Sequence, residues 1–288
     1  MGSKSFCLAF VALVLMGTVA RAAGPSAAEQ PLRMGCVAFA KEATREAYTQ
    51  IADYLKGQLK REIVLTVYPS YHEVVHDIVN DKLDLAIMSP LVYLHALDER
   101  PLHTLAYASY RGSGRFTYRS VMLVRGDSPI GSLADLAGKT VAFVDIMSAS
   151  GYLVPKEALV KAGVTGAKNV KGSFFKNHFD AVQAVLSGKA DGVATYDLVF
   201  NDSKRLAVEQ KKLKTVWASE FVIPSDAFVA IDSVPLAVRQ QLRGALLSYF
   251  AVQEQKQCPS NNIYEGFVPA DPNVYADLKR FIQSVSSK

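Results

Sequence analysis

Cysteine is scarce in this chain, with three among 288 residues, and none stands at a spacing from histidine that would make a metal site. Metal chemistry finds no support in the sequence, and no cofactor is expected. Long apolar runs are lacking too, apart from Phe6 to Ala20 near the N-terminus. That run is about 15 residues, short of the roughly 20 needed to cross a bilayer. Charge of one sign is also in short supply. A formal net charge of +5, dispersed along the chain, is too weak for a nucleic-acid surface but suits a small anion. No internal repeat or low-complexity segment is present to mark a repeat architecture.

What is there begins with an export signal. Lys4, the apolar run and Ala20-Arg21-Ala22 have the layout of a secretory signal peptide, residues 1–22, with cleavage expected after Ala22. Cys7 lies at the start of the apolar run and not after it, so it is not placed to accept a lipid. Cleavage removes Lys4 and Arg21, leaving about 266 residues and a net charge of +3, enough chain for two lobes with separate cores. Residues 23–31 read as a flexible leader. Two cysteines remain, Cys36 and Cys258. An oxidising compartment permits a disulfide between them; two buried thiols are the alternative.

From residue 32 strand and helix alternate. Leu32 to Phe39 and Ile63 to Tyr68 read as strands, and Tyr48, Ile51, Leu55 and Leu59 mark one face of the helix between them. Ser70-Tyr71-His72-Glu73 is a capping box that opens a second helix. Leu83 to Met88 is a near-continuous apolar strand of the kind a parallel sheet buries on both faces. Strand–helix–strand units continue to the C-terminus, with Gly163 and Gly188 just past predicted helices. The expected class is α/β, with mostly parallel sheets flanked by helices. There are too many strands for one compact sheet. Residues 32–115 and 222–288 are expected to form one lobe and 116–221 the other.

The sharpest local feature is strand Val141 to Asp145, then Ser148-Ala149-Ser150-Gly151, then a helix. A helix start exposes unpaired N–H groups and partial positive charge, and the two serines add hydroxyl donors. Gly151 is expected to let a ligand approach the backbone. Pro155 requires the regular helix to begin close to it. An ordinary serine cap with nothing bound is the alternative. His178 also follows a strand and opens a helix, and its imidazole can donate to an oxyanion. Tyr71, Tyr93 and Tyr118 lie near element ends, where phenols face either a cleft or the core. Asp226 sits where the chain returns to the first lobe.

The order of these features resembles the phosphate/phosphite/phosphonate-binding proteins of ABC importers. The resemblance is carried by Phe143-Val144-Asp145-Ile146-Met147-Ser148-Ala149-Ser150-Gly151-Tyr152-Leu153-Val154-Pro155, by Asp84 to Tyr93, by Asp127 to Lys139, by His178 to Asp191 and by Trp217 to Phe228. It implies a type II periplasmic binding fold with two α/β lobes, a two-strand hinge and a ligand between the lobes. It further implies that Ser148, the Ala149 backbone and Ser150 hold phosphorus-bound oxygens, joined by His178, Tyr118, Asp226 and Tyr71. Tyr93 is a further candidate. Ala149 departs from the common pattern, where threonine is frequent, and removes one hydroxyl.

The expected function is capture of phosphonate, phosphite or phosphate in the periplasm by a monomeric, non-enzymatic component that hands its ligand to a membrane permease. Asp226 can accept from a protonated ligand oxygen or pair with an amine, and repels a dianion. An aminoalkylphosphonate calls for a second acid, for which Asp197 is nearest along the chain. Two other readings use the same cleft: a ligand sensor reporting to a membrane receptor, and a phosphoesterase using Ser148 with His178. The last lacks a nucleophile elbow and an orienting third group.

Overall fold

The computed structural model describes residues 30–37, 41–111, 113–165, 169–201, 204–249 and 263–286. The expected signal peptide, most of the leader and Cys258 lie outside the described residues, so the disulfide expectation does too; Cys36 is buried.

The chain begins with β1 (Leu32–Val37), α1 (Lys41–Leu59), β2 (Ile63–Tyr68), α2 (Tyr71–Val79), β3 (Leu85–Met88) and α3 (Pro90–Glu99). Tyr48, Ile51 and Leu55 of α1 are fully buried, as their spacing requires. Ser70 caps α2 by accepting from the Glu73 amide. Its hydroxyl in turn donates to the Glu73 carboxylate, so the box closes through the side chains.

Next come β4 (Leu102–Tyr110), β5 (Thr117–Tyr118), β6 (Ser120–Arg125) and β7 (Thr140–Phe143). A π-turn at Ala149–Leu153 leads into α4 (Val154–Lys161), followed by β8 (Lys171–Phe174), α5 (His178–Leu186) and β9 (Gly192–Tyr196). Beyond them lie α6 (Lys204–Glu209), β10 (Leu213–Ala218), β11 (Ile223–Pro224), β12 (Ala227–Ile231), α7 (Leu236–Leu247), β13 (Tyr264–Pro269) and α8 (Ala276–Ser286). Gly163 and Gly188 follow α4 and α5 with φ of 78° and 75°, the left-handed stop that favours glycine.

Two large sheets result. One has six strands in the order β13-β4-β12-β3-β1-β2, the other five in the order β10-β6-β9-β7-β8. The sequence pattern predicts mostly parallel sheets, yet both are mixed. In the first, β1 is parallel to β2 and β3, but β12 runs against β3 and β4. In the second, β7 is parallel to β8 and β9, and β6 runs against β9. The cause is the crossing between sheets. Ser120 of β6 pairs with Tyr196, and Ala227 of β12 pairs with Met88. Each arriving strand therefore enters at the carboxyl end of strands already there and must run against them.

The crossing segments pair with each other: β5 and β11 form a two-stranded antiparallel ribbon, Tyr118 opposite Ile223. The hinge thus lies at the carboxyl ends of the parallel strands in both sheets, where an open α/β sheet binds its ligands.

Candidate functional site

Helical segments from both sheets begin at that end of the strands, and four of them carry the candidate residues. From the first sheet, β2 leads into α2 at Tyr71 and β3 leads through Ser89 into α3. From the second, β7 leads into the Ser148–Gly151 turn and β8 into α5 at His178. Strand pairing sets two of these side by side: the Lys176 amide donates to Val144 O at 2.8 Å. The turn and the start of α5 therefore follow neighbouring strands at the same end of the five-stranded sheet.

The Ser148–Gly151 turn folds tightly. Ser148 Oγ accepts from the Gly151 amide at 3.0 Å, and the Asp145 carboxylate accepts from Met147 N at 2.8 Å. The Ser150 carbonyl accepts from Ser120 Oγ at 2.9 Å. Ser148, Ala149 and Ser150 are all buried. The amides of Ala149 and Ser150 head the turn, where no earlier helical carbonyl exists to pair them. Pro155 falls within the first turn of α4, which removes the conflict its missing N–H would create. Gly151 has a different role from the one expected. A Cβ there would lie 2.4 Å from Val144 Cγ2 and 2.8 Å from Ser148 Oγ. Glycine is needed so that the turn can pack on the end of β7, not to admit a ligand.

His178 is the first residue of α5, which Asn177 caps by accepting from the Asp180 amide. Its Nδ1 lies 2.9 Å from Thr195 Oγ1, and its ring meets Tyr196 edge-on at 4.8 Å. Burial pushes the imidazole down to about 3, so at neutral pH it is uncharged, with Nε2 left free of the Thr195 contact. Neither Ser148 nor Ser150 is hydrogen-bonded to it among the described residues.

Tyrosines connect the two sheets. Tyr196 packs on Tyr118 at 5.5 Å, and Tyr118 on Tyr110 at 5.6 Å. Burial, followed by the nearby Asp226 charge, raises the Tyr118 hydroxyl well above its ordinary range, while a hydrogen bond with Ser150 pulls the other way. Tyr71 is raised by the same two causes in the same order and lies beside Ser89. Ser150, Tyr118, Tyr71 and Asp226 therefore converge at the hinge.

Asp226 is buried at the start of β12. Tyr264 donates to its Oδ2 and Tyr110, at 3.5 Å, to its Oδ1. Behind them the Tyr48 and Tyr264 hydroxyls lie 3.2 Å apart. Burial outweighs both phenol donors and lifts the carboxyl to about 6. Among the described residues no lysine or arginine belongs to this group. It offers hydroxyls, amides and a neutral imidazole, beside one acid that is easily protonated.

Two candidates fall outside the cluster. Tyr93 spends its hydroxyl on Thr104 at 2.8 Å and stacks edge-on against Tyr275 at 4.9 Å, the arrangement of a core tyrosine. Asp197 accepts from the Arg119 amide at 3.0 Å and pairs with Arg115 at 3.3 Å; it ties the hinge together and is not a free second acid. Conversely, Ser89 and Tyr264 escaped the sequence reading. Ser89 Oγ is buried and lies beside the Tyr71 hydroxyl, at a helix cap whose Ser-Pro signal was visible. Tyr264 lies on β13, where Gly266 and Pro269 mask a strand that an edge position tolerates. Among the described residues no group of three His, Cys, Asp or Glu is placed to hold a metal, and no helix is long and apolar enough to cross a membrane.

Comparison with known proteins gives the family and the fold. Residues 36–275 match the family model described as ABC transporter, phosphonate, periplasmic substrate-binding protein. The chain is 26% identical over 210 residues to a phosphate-import protein, PhnD, of Mycolicibacterium smegmatis, covering 69% of this chain and just under two thirds, 65%, of that one. It is 24% identical over 256 residues to the phosphonates-binding periplasmic protein of Escherichia coli, covering 86% of this chain and 75% of the other. The solved structure of PhnD1 from Prochlorococcus marinus in complex with methylphosphonate superposes with a TM-score of 0.75 at 20% identity, covering 90% of this chain and 99% of that one. The fold is thus the two-lobed type II binding-protein fold, and the chain belongs to the family of periplasmic substrate-binding proteins of phosphonate ABC transporters.

Proposed function

We propose that this chain, exported by cleavage of residues 1–22, captures a small phosphorus oxyanion at the hinge end of its two sheets and delivers it to a membrane permease. The observation that carries the proposal is the meeting of Ser150, Tyr118, Tyr71 and Asp226 beside the 148–151 turn. Ser148, the Ala149 amide, Ser150 and His178 supply donors from one lobe; Tyr71, Ser89 and Asp226 come from the other. A ligand touching both sides favours the form in which they are close, and the permease recognises that form.

The charge balance narrows the ligand. Among the described residues the site holds a buried acid and no cation, so it favours an oxyanion that brings or shares a proton over a bare dianion. Asp197, the expected second acid, is engaged by Arg115, which weakens the case for a ligand amine. Phosphite or an alkylphosphonate therefore fits better than an aminoalkylphosphonate. Calorimetric titration with phosphite, methylphosphonate, phosphate and aminoethylphosphonate, with sulfate and taurine as controls, is the test. Tight binding of phosphite or methylphosphonate without turnover of a phosphate ester is expected, and failure to bind any phosphorus oxyanion refutes the reading. Cells without the protein should stop importing the ligand; normal import with a lost transcriptional response would assign it to a sensor instead.

A further inference from the structure

A cavity of about 420 Å³ opens beside the oxyanion turn. On one side it is walled by Tyr71, Val75 and Val79 of α2, on the other by Ile146 and Met147, which immediately precede Ser148. Two of its walls therefore continue into the site described above: Tyr71, whose hydroxyl lies beside Ser89 and in the fields of Asp226 and Asp145, and the loop from Asp145 to Met147. Ile146 is 64% exposed and offers an aliphatic surface to the cavity.

The lining also sets what the cavity accepts. It contains no lysine or arginine; its carboxylates are Glu99 and Asp145, and three histidines, His72, His76 and His95, also line it. No fixed cation is there to hold a second phosphate, whereas valine, isoleucine and methionine surfaces suit hydrocarbon. A methyl group occupies only a small fraction of the space.

Resting on the proposed oxyanion site, we propose that this cavity receives the uncharged organic substituent of a larger phosphonate, an alkyl or aryl group, and that the protein prefers such ligands to methylphosphonate. Full burial of one methylene strengthens binding about fourfold. In a cavity open on one side about half that gain per methylene is realised, which still gives hexylphosphonate at least about a tenfold advantage.

Calorimetric titration of the purified protein with methylphosphonate, hexylphosphonate and phenylphosphonate tests this, in the wild type and in Val79→Trp and Ile146→Ser. Val79→Trp fills the cavity, and Ile146→Ser removes one apolar wall from an exposed loop, so that folding survives in at least the second. Hexylphosphonate should bind at least about tenfold more tightly than methylphosphonate in the wild type. Each variant should bring the two ligands within about threefold of each other while leaving methylphosphonate affinity unchanged. Equal or weaker binding of hexylphosphonate in the wild type overturns the proposal while the oxyanion site stands, as does an advantage that persists undiminished in both variants. Failure of methylphosphonate, hexylphosphonate and inorganic phosphate alike removes the oxyanion reading itself.

Discussion

Replacing Asp226 with asparagine keeps the shape of the side chain and abolishes its titration. In the wild type, burial raises this carboxyl from an ordinary 3.8 to about 6. Below pH 6 the group is neutral and resembles asparagine; above it, an anion must bind next to a carboxylate or take up a proton to share with it. The ratio of wild-type to Asp226→Asn dissociation constants cancels the ligand's own ionisation. It should stay near one at pH 5, then climb about tenfold per pH unit beyond 6, reaching about 100-fold at pH 8. Calorimetric titrations with phosphite at half-unit steps from pH 5 to 8.5 read it directly.

The empty protein carries an independent signature of the same group. Because the folded-state carboxyl is raised, the folded protein holds more protons than the unfolded chain between pH 3.8 and 6. Stability from this residue is complete below 3.8 and is lost as pH rises through 6, a loss on the order of 3 kcal/mol at 1.36 kcal/mol per unit. His178, lowered to about 3, acts with the opposite sign: its contribution is present above 6.5 and lost as pH falls toward 3. The wild-type profile mixes the two, and only the difference between wild type and Asp226→Asn isolates the carboxyl. A binding ratio that stays flat from pH 5 to 8.5, together with parallel stability profiles, refutes the reasoning.

Three further outcomes follow from the geometry. Ser150→Ala and His178→Ala should each weaken oxyanion binding by about tenfold or more, as loss of a hydrogen bond to a charged group implies, with little change in thermal unfolding of the empty protein; unchanged affinity in both removes them from the site. Gly151→Ala drives a methyl into Val144 and should cost about 1–3 kcal/mol by overpacking, with partial recovery on adding Val144→Ala. If the single variant unfolds like the wild type, the close packing inferred for the turn is wrong. Tyr264→Phe deletes a donor to the Asp226 carboxylate, so the midpoint of the pH-dependent binding ratio should move upward by about one unit; a midpoint that falls instead contradicts the hydrogen bond.

Local patterns announced most of the elements. The capping box at Ser70 appears as a capped helix, the apolar run from Leu83 to Met88 yields a central strand, and glycines 163 and 188 stop helices as their positions suggest. Two kinds of feature escaped this reading. The mixed pairing of the sheets depends on which end a strand enters after crossing the hinge, and no local sequence pattern encodes an entry direction. Strand β13 is short, glycine-containing and ends in proline, so its membership in a sheet depends on the open edge that β4 offers it.

For the candidate site, the sequence pointed to the Ser148–Gly151 turn, His178, Tyr118, Tyr71 and Asp226, because each falls at or near an element end where chain direction changes. It could not separate Tyr118, whose hydroxyl meets Ser150, from Tyr93, whose hydroxyl is consumed by Thr104; both are tyrosines near element ends, and only long-range packing decides where a phenol points. Likewise Asp226 and Asp197 are equal as letters. One is buried among phenols and lifted to about 6, while the other is bound by Arg115. Residue type and order along the chain determined which chemistry was available; the depth of burial and the identity of distant neighbours, which exist only once the two sheets meet at the hinge, decided which groups are left to use it.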